Sequence, residues 1–458
     1  MSNFTPAGAA SAPAQPPDSV SLRRIAQAWW PLAASWLLMS LEGPMVSAVI
    51  ARLANPAINL AAYGGIVFPV ALLVESPIIM LLAASTALST DWASYQKVRR
   101  FMMRASAALT LLHILVAFTP LYYFVARGLI GAPEDIIEPG RLGLMIMVPW
   151  TWSIAYRRFH QGVLIRFGRS RAVGVGTAVR LLAGASVLGI GYVTRTTPGI
   201  IVGSAAVTAG VIAEAAFVGL SVQPVLRNRL RTAPPVDDLL TWRTFFAFYI
   251  PLALTSLLGM LMQPIGSAGL SRMPNALESL AVWPVVSGLV FMFRSVGMAY
   301  NEVVVALLDH PQSSRNLWRF SVVLMAATSG LLLVIAATPL SRFWFQTLSG
   351  LTPSLTNLAR TAIWFALPLP ALTALSSWYQ GVMVHSRHTR GITEATVVFL
   401  LATSLLMAAG VVWGRATGLF VGLSALGMGT ALQTAWLWYR SLPARRAVYS
   451  RDASGSMS

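Results

Sequence analysis

Six charged residues stand inside stretches that are otherwise apolar: Glu42, Glu75, Arg180, Glu214, Arg294 and Glu302. A charge in mid-span costs about 2.5–3.5 kcal/mol on insertion scales, so such a residue faces a cavity or a partner. The four carboxylates can exchange protons or ligate a cation. The two guanidiniums can grip a carboxylate or phosphate through paired N–H donors. Glu42 leads into Gly43 and Pro44 in "SLEGPMVS", and Glu75 into Ser76 and Pro77 in "VESPIIM". Proline kinks a helix and frees carbonyls beside each acid. Pro44 and Pro77 are therefore read as hinges. H⁺ needs only a carboxylate in a dry cleft. Na⁺ needs several oxygen ligands, and Ser35, Ser40, Ser47 and Ser76 are near in sequence. The competing reading of the six charges is ion pairs that merely hold helices together.

The elements that must position these residues are long and apolar. The chain has 458 residues, 56% of them hydrophobic and 10% charged, where a soluble domain carries roughly 25% charged residues. Its mean hydropathy is +0.67. Apolar helical stretches are expected near 29–50, 60–88, 101–126, 139–165, 173–193, 200–223, 246–269, 279–308, 319–345, 358–384, 392–413 and 417–439. That pattern is an all-α membrane protein with twelve transmembrane helices. The short alternating segments of a β-barrel are missing. Of the basic residues, twenty-three fall in one set of alternate links and tails and eight in the other. By the positive-inside rule both termini are cytoplasmic. The same rule accounts for the net charge of +18, so no nucleic-acid partner is expected. Arg157 and Arg158 read first as such topology charges. Residues 1–22 read as a disordered tail without the pattern of a signal peptide, 227–242 as a linker and 442–458 as a basic tail.

Several chemistries are excluded. There is no Cys, hence no disulfide and no thiol catalysis. His385 and His388 lie without carboxylates nearby, so no metal site is expected. His113 reads as a packed polar residue. Glu134, Asp135 and Glu138 read as a solvated loop rather than the acidic motif of a membrane-bound transferase. No phosphate-binding loop, HExxH or nucleophile elbow occurs. The chain is not read as an enzyme. Its partners are expected to be membrane lipids and a small-molecule substrate, with no cofactor beyond a coupling H⁺ or Na⁺, and the protein is read as a monomer.

The chain repeats itself. "SAVIARLANPAINLAAYGG" from Ser47 aligns without a gap to "SAGLSRMPNALESLAVWPV" from Ser267. Ser47, Ala48, Arg52, Asn55, Leu60 and Ala61 meet identical residues 220 positions on. After one single-residue gap the offset is 219: Pro149 meets Pro368, "HQGV" at 160–163 meets "YQGV" at 379–382, and Arg171 meets Arg390. Two six-helix lobes follow, 23–226 and 243–441. Six is even, so the repeats are parallel and enclose a central cleft with a site near the midplane. At offset 219 Glu75 meets Arg294, which predicts an acid–base pair across the cleft.

Two six-helix halves, an early proline in helices 1 and 7 (Pro31, Pro251), and an Arg-containing link before "LA" in helices 2 and 8 resemble the multidrug and toxin extrusion (MATE) transporters. "WPL" at 30–32 and "WYQG" at 378–381 are also similar to bacterial relatives of the progressive ankylosis protein in the wider exporter superfamily. The first resemblance implies a cation-coupled exporter in a bacterial inner membrane. The second implies export of organic anions or pyrophosphate, and the superfamily also contains flippases for lipid-linked saccharides. MATE proteins commonly carry an acid deeper in helix 1, where this chain has Val46 and Ser47. Glu42 lies one turn earlier on roughly the same face.

Overall fold

The computed structural model describes residues 20–234, 240–310 and 313–454. Most of the expected 1–22 tail lies outside them, as do the middle of the 227–242 linker and the last residues of the 442–458 tail.

The chain is all-α. In the first half α1 is Leu22–Ser40 plus Glu42–Ile50, and α2 is Pro56–Glu75 plus Leu81–Leu88. Next come α3, Trp92–Phe118, and α4, Ile137–Ile146 plus Val148–Arg166. Then follow α5, Ser170–Thr194, and α6, Gly199–Leu230. The second half repeats the order: α7 Trp242–Ser271, α8 Ala276–Leu307, α9 Ser313–Ala337, α10 Pro353–His385, α11 Arg390–Trp413 and α12 Gly418–Arg440. The expected basic tail is a further helix, α13, Leu442–Ser454. Asp452 ties it to the start of α9 by accepting from Ser314 N at 3.1 Å and Ser314 Oγ at 2.5 Å.

Eleven of these helices are long and apolar enough to cross a bilayer. The exception is α4. It carries Arg141, Arg157, Arg158 and Arg166, yet most of its second segment is buried against other helices. A helix sheathed by its neighbours needs no apolar surface of its own. The sheathing helices supply it: Leu182 and Val193 of α5 and Leu220 of α6 are all exposed, as lipid-facing residues are.

The breaks in α1 and α2 fall where the prolines require them. α1 breaks at Leu41, three residues before Pro44, and the turn that interrupts α2 spans 76–80 and contains Pro77. Glu42 and Glu75 stand at the two breaks.

We call the side bearing the termini proximal and the other side distal. On the distal side one apolar core joins both halves, with Leu60 and Ile66 of α2 packed alongside Val285 and Leu289 of α8. Gly64 brings the two backbones together, since a Cβ there would lie 2.8 Å from Pro284 Cγ. On the proximal side the core divides in two. One part holds Ile78, Phe159, Val222 and Tyr249; the other holds Ile25, Tyr300, Trp378 and Leu437. The lobes thus share one core at the distal face, and at the proximal face each keeps a core of its own.

The lobes also exchange helix ends. The proximal end of α1 packs on the second half, where Trp29 Nε1 donates to Val296 O at 3.1 Å and Val20 O accepts from Asn316 Nδ2 at 3.0 Å. The proximal end of α7 packs on the first half, where the Tyr249 hydroxyl donates to Pro77 O at 2.5 Å.

The repeated residues have repeated jobs. Asn55 and Asn275 both take the left-handed conformation, φ +50° and +57°, just ahead of α2 and α8. Asparagine tolerates that region better than most residues. One turn on, Asn59 Oδ1 accepts from Ile200 N at 3.3 Å and Ser279 Oγ accepts from Leu419 N at 3.1 Å. Each caps the first turn of its lobe's last helix from outside, where backbone donors lack intrahelical partners. Asn59→Ala is expected to cost about 1–2 kcal/mol, because it strands a buried N–H. The midpoint of thermal unfolding in detergent checks this, and an unchanged midpoint counts against the cap.

Candidate functional site

The charged residues of the first lobe converge. α5 and α6 approach closely because small residues line their seam: a Cβ on Gly210 would lie 2.9 Å from Arg180 O, and one on Gly176 3.4 Å from Glu214 Cγ. Glu214, on α6, is fully buried. It accepts from Arg157 Nη1 at 2.7 Å and from Gln161 Nε2 at 2.9 Å. Arg157 and Gln161 are four residues apart on α4, hence on one helical face. Arg180 Nε reaches the same carboxylate at 3.8 Å, and Arg180 Nη2 reaches Glu42 at 3.4 Å. One acid therefore gathers α4, α5 and α6, and Arg180 extends the network to the break in α1.

Glu75 is left out of this network. It is 4% exposed, Oε2 is fully enclosed, and neither carboxylate oxygen makes a hydrogen bond among the described residues. It lies within electrostatic range of Arg157, Arg158 and Arg180 without pairing with any of them. Arg158 is the complementary case, since its enclosed Nε has no partner. An unpaired carboxylate and an unpaired guanidinium thus share one buried region beside a three-way ion pair.

The other expected positions are placed differently. Arg294, on α8, donates from Nε to Thr373 Oγ1 at 2.9 Å and has no carboxylate partner among the described residues. The expected Glu75–Arg294 pair does not form. Glu75 lies by the arginines of its own lobe, and Arg294 is held by α10 of the other. Glu302 is exposed on the proximal segment of α8, outside any ion pair seen among the described residues. Arg157 corrects the reading as a topology charge: it is 5% exposed and its bond to Glu214 keeps it inside the lobe. Gln161 was not anticipated. Its signal was available, because Arg157 and Gln161 both fall mid-helix at a spacing of four. His113 is packed as expected, between Thr151 Oγ1 at 2.8 Å and Leu144 O at 3.1 Å. A small crevice of about 10 Å³ between α1, α5 and α6 has Glu42 and Arg180 in its wall.

No protein-family model matches this chain, and no curated relative matches it. Solved structures do. The lipid II flippase MurJ, in an inward closed conformation, superposes with a TM-score of 0.67 at 14% identity over 92% of each chain. A Vibrio cholerae MATE transporter gives 0.62 at 18% identity, covering 94% of this chain and 99% of that one. A multidrug resistance MATE transporter of the MOP superfamily, inward-facing, gives 0.61 at 13% identity over 91% of this chain and 99% of that one. The chain has the MATE fold. At such identities the likeness extends to the path of the helices and stops there. Within the MATE fold, the acids and arginines of this lobe belong to this chain, and their chemistry is argued from their own geometry.

Proposed function

We propose that the protein is a secondary active transporter driven by H⁺, exporting a small organic molecule by alternating access, with Glu75 as the proton carrier. The observation that carries this reading is the buried, partnerless carboxylate of Glu75 at the break in α2. The other mid-span acids of the lobe are committed: Glu214 holds two arginines and a glutamine, and Glu42 holds Arg180. Of these three acids, Glu75 can change charge without first giving up a bond to any described residue. When ionised it balances the guanidiniums; when protonated it leaves one positive charge in excess. That shift is the differential interaction a driving ion must supply to bias two conformations.

H⁺ is favoured over Na⁺ by the neighbours of Glu75. Sodium needs several oxygen donors, and the charged groups around this acid are guanidiniums. The joint distal core of the lobes and their separate proximal cores support alternating access, with the basic links making the proximal side cytoplasmic.

A second reading concerns the cargo. Arg158 and Arg294 have no acid partner among the described residues, which favours an organic anion or a phosphate-bearing molecule over a cation. Liposomes carrying the protein under an imposed pH or Na⁺ gradient decide between them, with a cationic dye and radiolabelled citrate or pyrophosphate followed in parallel. The expected result is H⁺-driven movement that falls to the level of empty liposomes in Glu75→Gln. Glu42→Gln, which only loosens Arg180, should retain part of it. Citrate or pyrophosphate movement lost in Arg294→Gln fixes the anionic cargo. Transport that survives Glu75→Gln, or follows Na⁺ alone, overturns the proton assignment. Movement of neither solute turns the reading toward a lipid-linked saccharide.

A further inference from the structure

At the distal face the two repeats reach for each other. Arg52, between α1 and α2, crosses to the second lobe and donates from Nη2 to Thr347 O and, at 2.9 Å, to Leu348 O. Those carbonyls end the short helical stretch Phe343–Leu348 that follows α9. Arg272, its repeat counterpart between α7 and α8, crosses the other way. It donates from Nη1 to Ile130 O at 2.7 Å, and from Nη2 to Gly128 O at 3.1 Å and Leu129 O at 3.0 Å. Those carbonyls end the stretch Phe124–Ile130 that follows α3. Each arginine is also tied back to its own helix, Arg52 to Ala48 O at 2.6 Å and Arg272 to Ala268 O at 2.9 Å.

The receiving ends are shaped for a guanidinium. Carbonyls in a last helical turn lack backbone donors and carry partial negative charge, so they favour a cation with several N–H groups. Both stretches lead into a left-handed glycine, Gly131 at φ +69° and Gly350 at φ +73°. A Cβ on Gly131 would lie 3.0 Å from Arg272 Cζ, and one on Gly350 2.8 Å from Arg52 Nη1. The glycines are therefore required twice, by the backbone and by the incoming arginine.

We infer that Arg52 and Arg272 are the two arms of a latch that holds the distal face shut, each capping a helix end in the opposite lobe. No ion pair crosses between the lobes among the described residues. The arms are thus the charged contacts that must break when the lobes part there. Both use neutral backbone acceptors remote from Glu75, so a proton on Glu75 has to act on the latch through the helices. Because the arms are repeat-related and oppositely directed, a rocking motion strains both together.

The inference rests on the reading that the lobes rock, and the test separates the two. The chain has no cysteine, so spin labels can be placed in pairs without background. Asp135→Cys with Ser354→Cys reports the distal face, and Ser170→Cys with Thr389→Cys the proximal face; all four positions are exposed. Distances are measured by pulsed electron resonance in nanodiscs. In Arg52→Ala with Arg272→Ala the population with a long distal distance should rise about tenfold or more over wild type, and in either single variant by about threefold, since several charge-assisted hydrogen bonds are lost per arm. The Lys double variant, which keeps charge but not the fork, should fall between. A folded double variant whose distal distances match wild type overturns the latch, as does a single variant that reproduces the whole effect. If Ala at both sites prevents folding, Gln at both sites and the two single variants decide the same question. If wild type samples two distances under a gradient and the variants leave them unchanged, the latch alone falls. If neither pair ever changes distance, rocking fails and the latch falls with it.

Discussion

Glu214→Ala is expected to cost about 3–5 kcal/mol of stability, the largest loss from any single charge in the molecule. The magnitude follows from what stays behind. Arg157 and Arg180 are 5% and 8% exposed, and both lean on this carboxylate. Without it, two guanidiniums sit close together in a buried seam, and Gln161 loses its acceptor. Thermal unfolding in detergent reads the loss. Glu214→Gln should be only a little milder, because the amide keeps one acceptor but brings two donors into a site already full of donors. The decisive comparison is Glu214→Met combined with Arg157→Met. Removing both charges at similar volume should recover a large part of the loss. If the double variant is no more stable than Glu214→Met alone, the cost belongs to packing and the ion-pair account is wrong.

The contrast between Glu214 and Glu75 marks how far the sequence could be read. Both are single acids in apolar helices, and insertion cost treats them alike. What separates them is three residues on two other helices: Arg157 and Gln161 from α4, and Arg180 from α5. Their convergence depends on how close α5 comes to α6, which Gly176 and Gly210 set. That approach cannot be counted from one helix's periodicity. The kinks beside Glu42 and Glu75 were legible, because proline acts on its own chain. Partners across helices were not, and so the expected Glu75–Arg294 bond is replaced by a Glu75 facing its own lobe.

The repeat was more informative than any single charge. Residues shared at fixed offset each turn out to answer a demand of the architecture. Leu60 and Leu280 fill the joint core, Asn55 and Asn275 supply the left-handed turn, and Arg52 and Arg272 cross between lobes. The alignment established that these positions matter twice over without saying why. The reason for the arginines lies in carbonyls some three hundred residues from Arg52 and some 140 from Arg272 in sequence. Helix 4 tested composition from the other side. Its arginines spoil its hydropathy, yet its place is fixed by symmetry with α10.

The shared "QGV" is the sharpest case, and it yields the second large effect. Gly162 lies where α4 crosses the proximal segment of α2. A Cβ there would overlap Leu82 O and lie 2.8 Å from Ser85 Cβ and 2.9 Å from Thr86 N. The crossing is stitched by Ser85 Oγ donating to Phe159 O at 2.7 Å and Thr86 Oγ1 to Gly162 O at 3.2 Å. Gly381 holds the equivalent crossing of α10 on α8, but its nearest neighbours are Val304 Cβ at 2.6 Å and Cγ1 at 2.7 Å, with Asn301 O at 3.2 Å. The first obstacle is mainly backbone and the second mainly side chain. Gly162→Ala should therefore cost about 3 kcal/mol, even after alanine's gain in helix propensity, while Gly381→Ala should cost nearer 1 kcal/mol. Val304→Gly should restore much of Gly381→Ala, because it removes both Val304 Cβ and Cγ1 and of these neighbours leaves only Asn301 O at 3.2 Å. Ser85→Ala should not restore Gly162→Ala, because Leu82 O and Thr86 N remain. Thermal unfolding of the four variants reads the pattern, and equal costs at the two glycines would refute it. The same crossing sets the segment after Glu75 against the helix that bears Arg157 and Arg158. Gly162→Ala should thus also lower H⁺-driven transport in the fraction that stays folded, and Gly381→Ala, in the lobe without the carboxylate, should lower it much less.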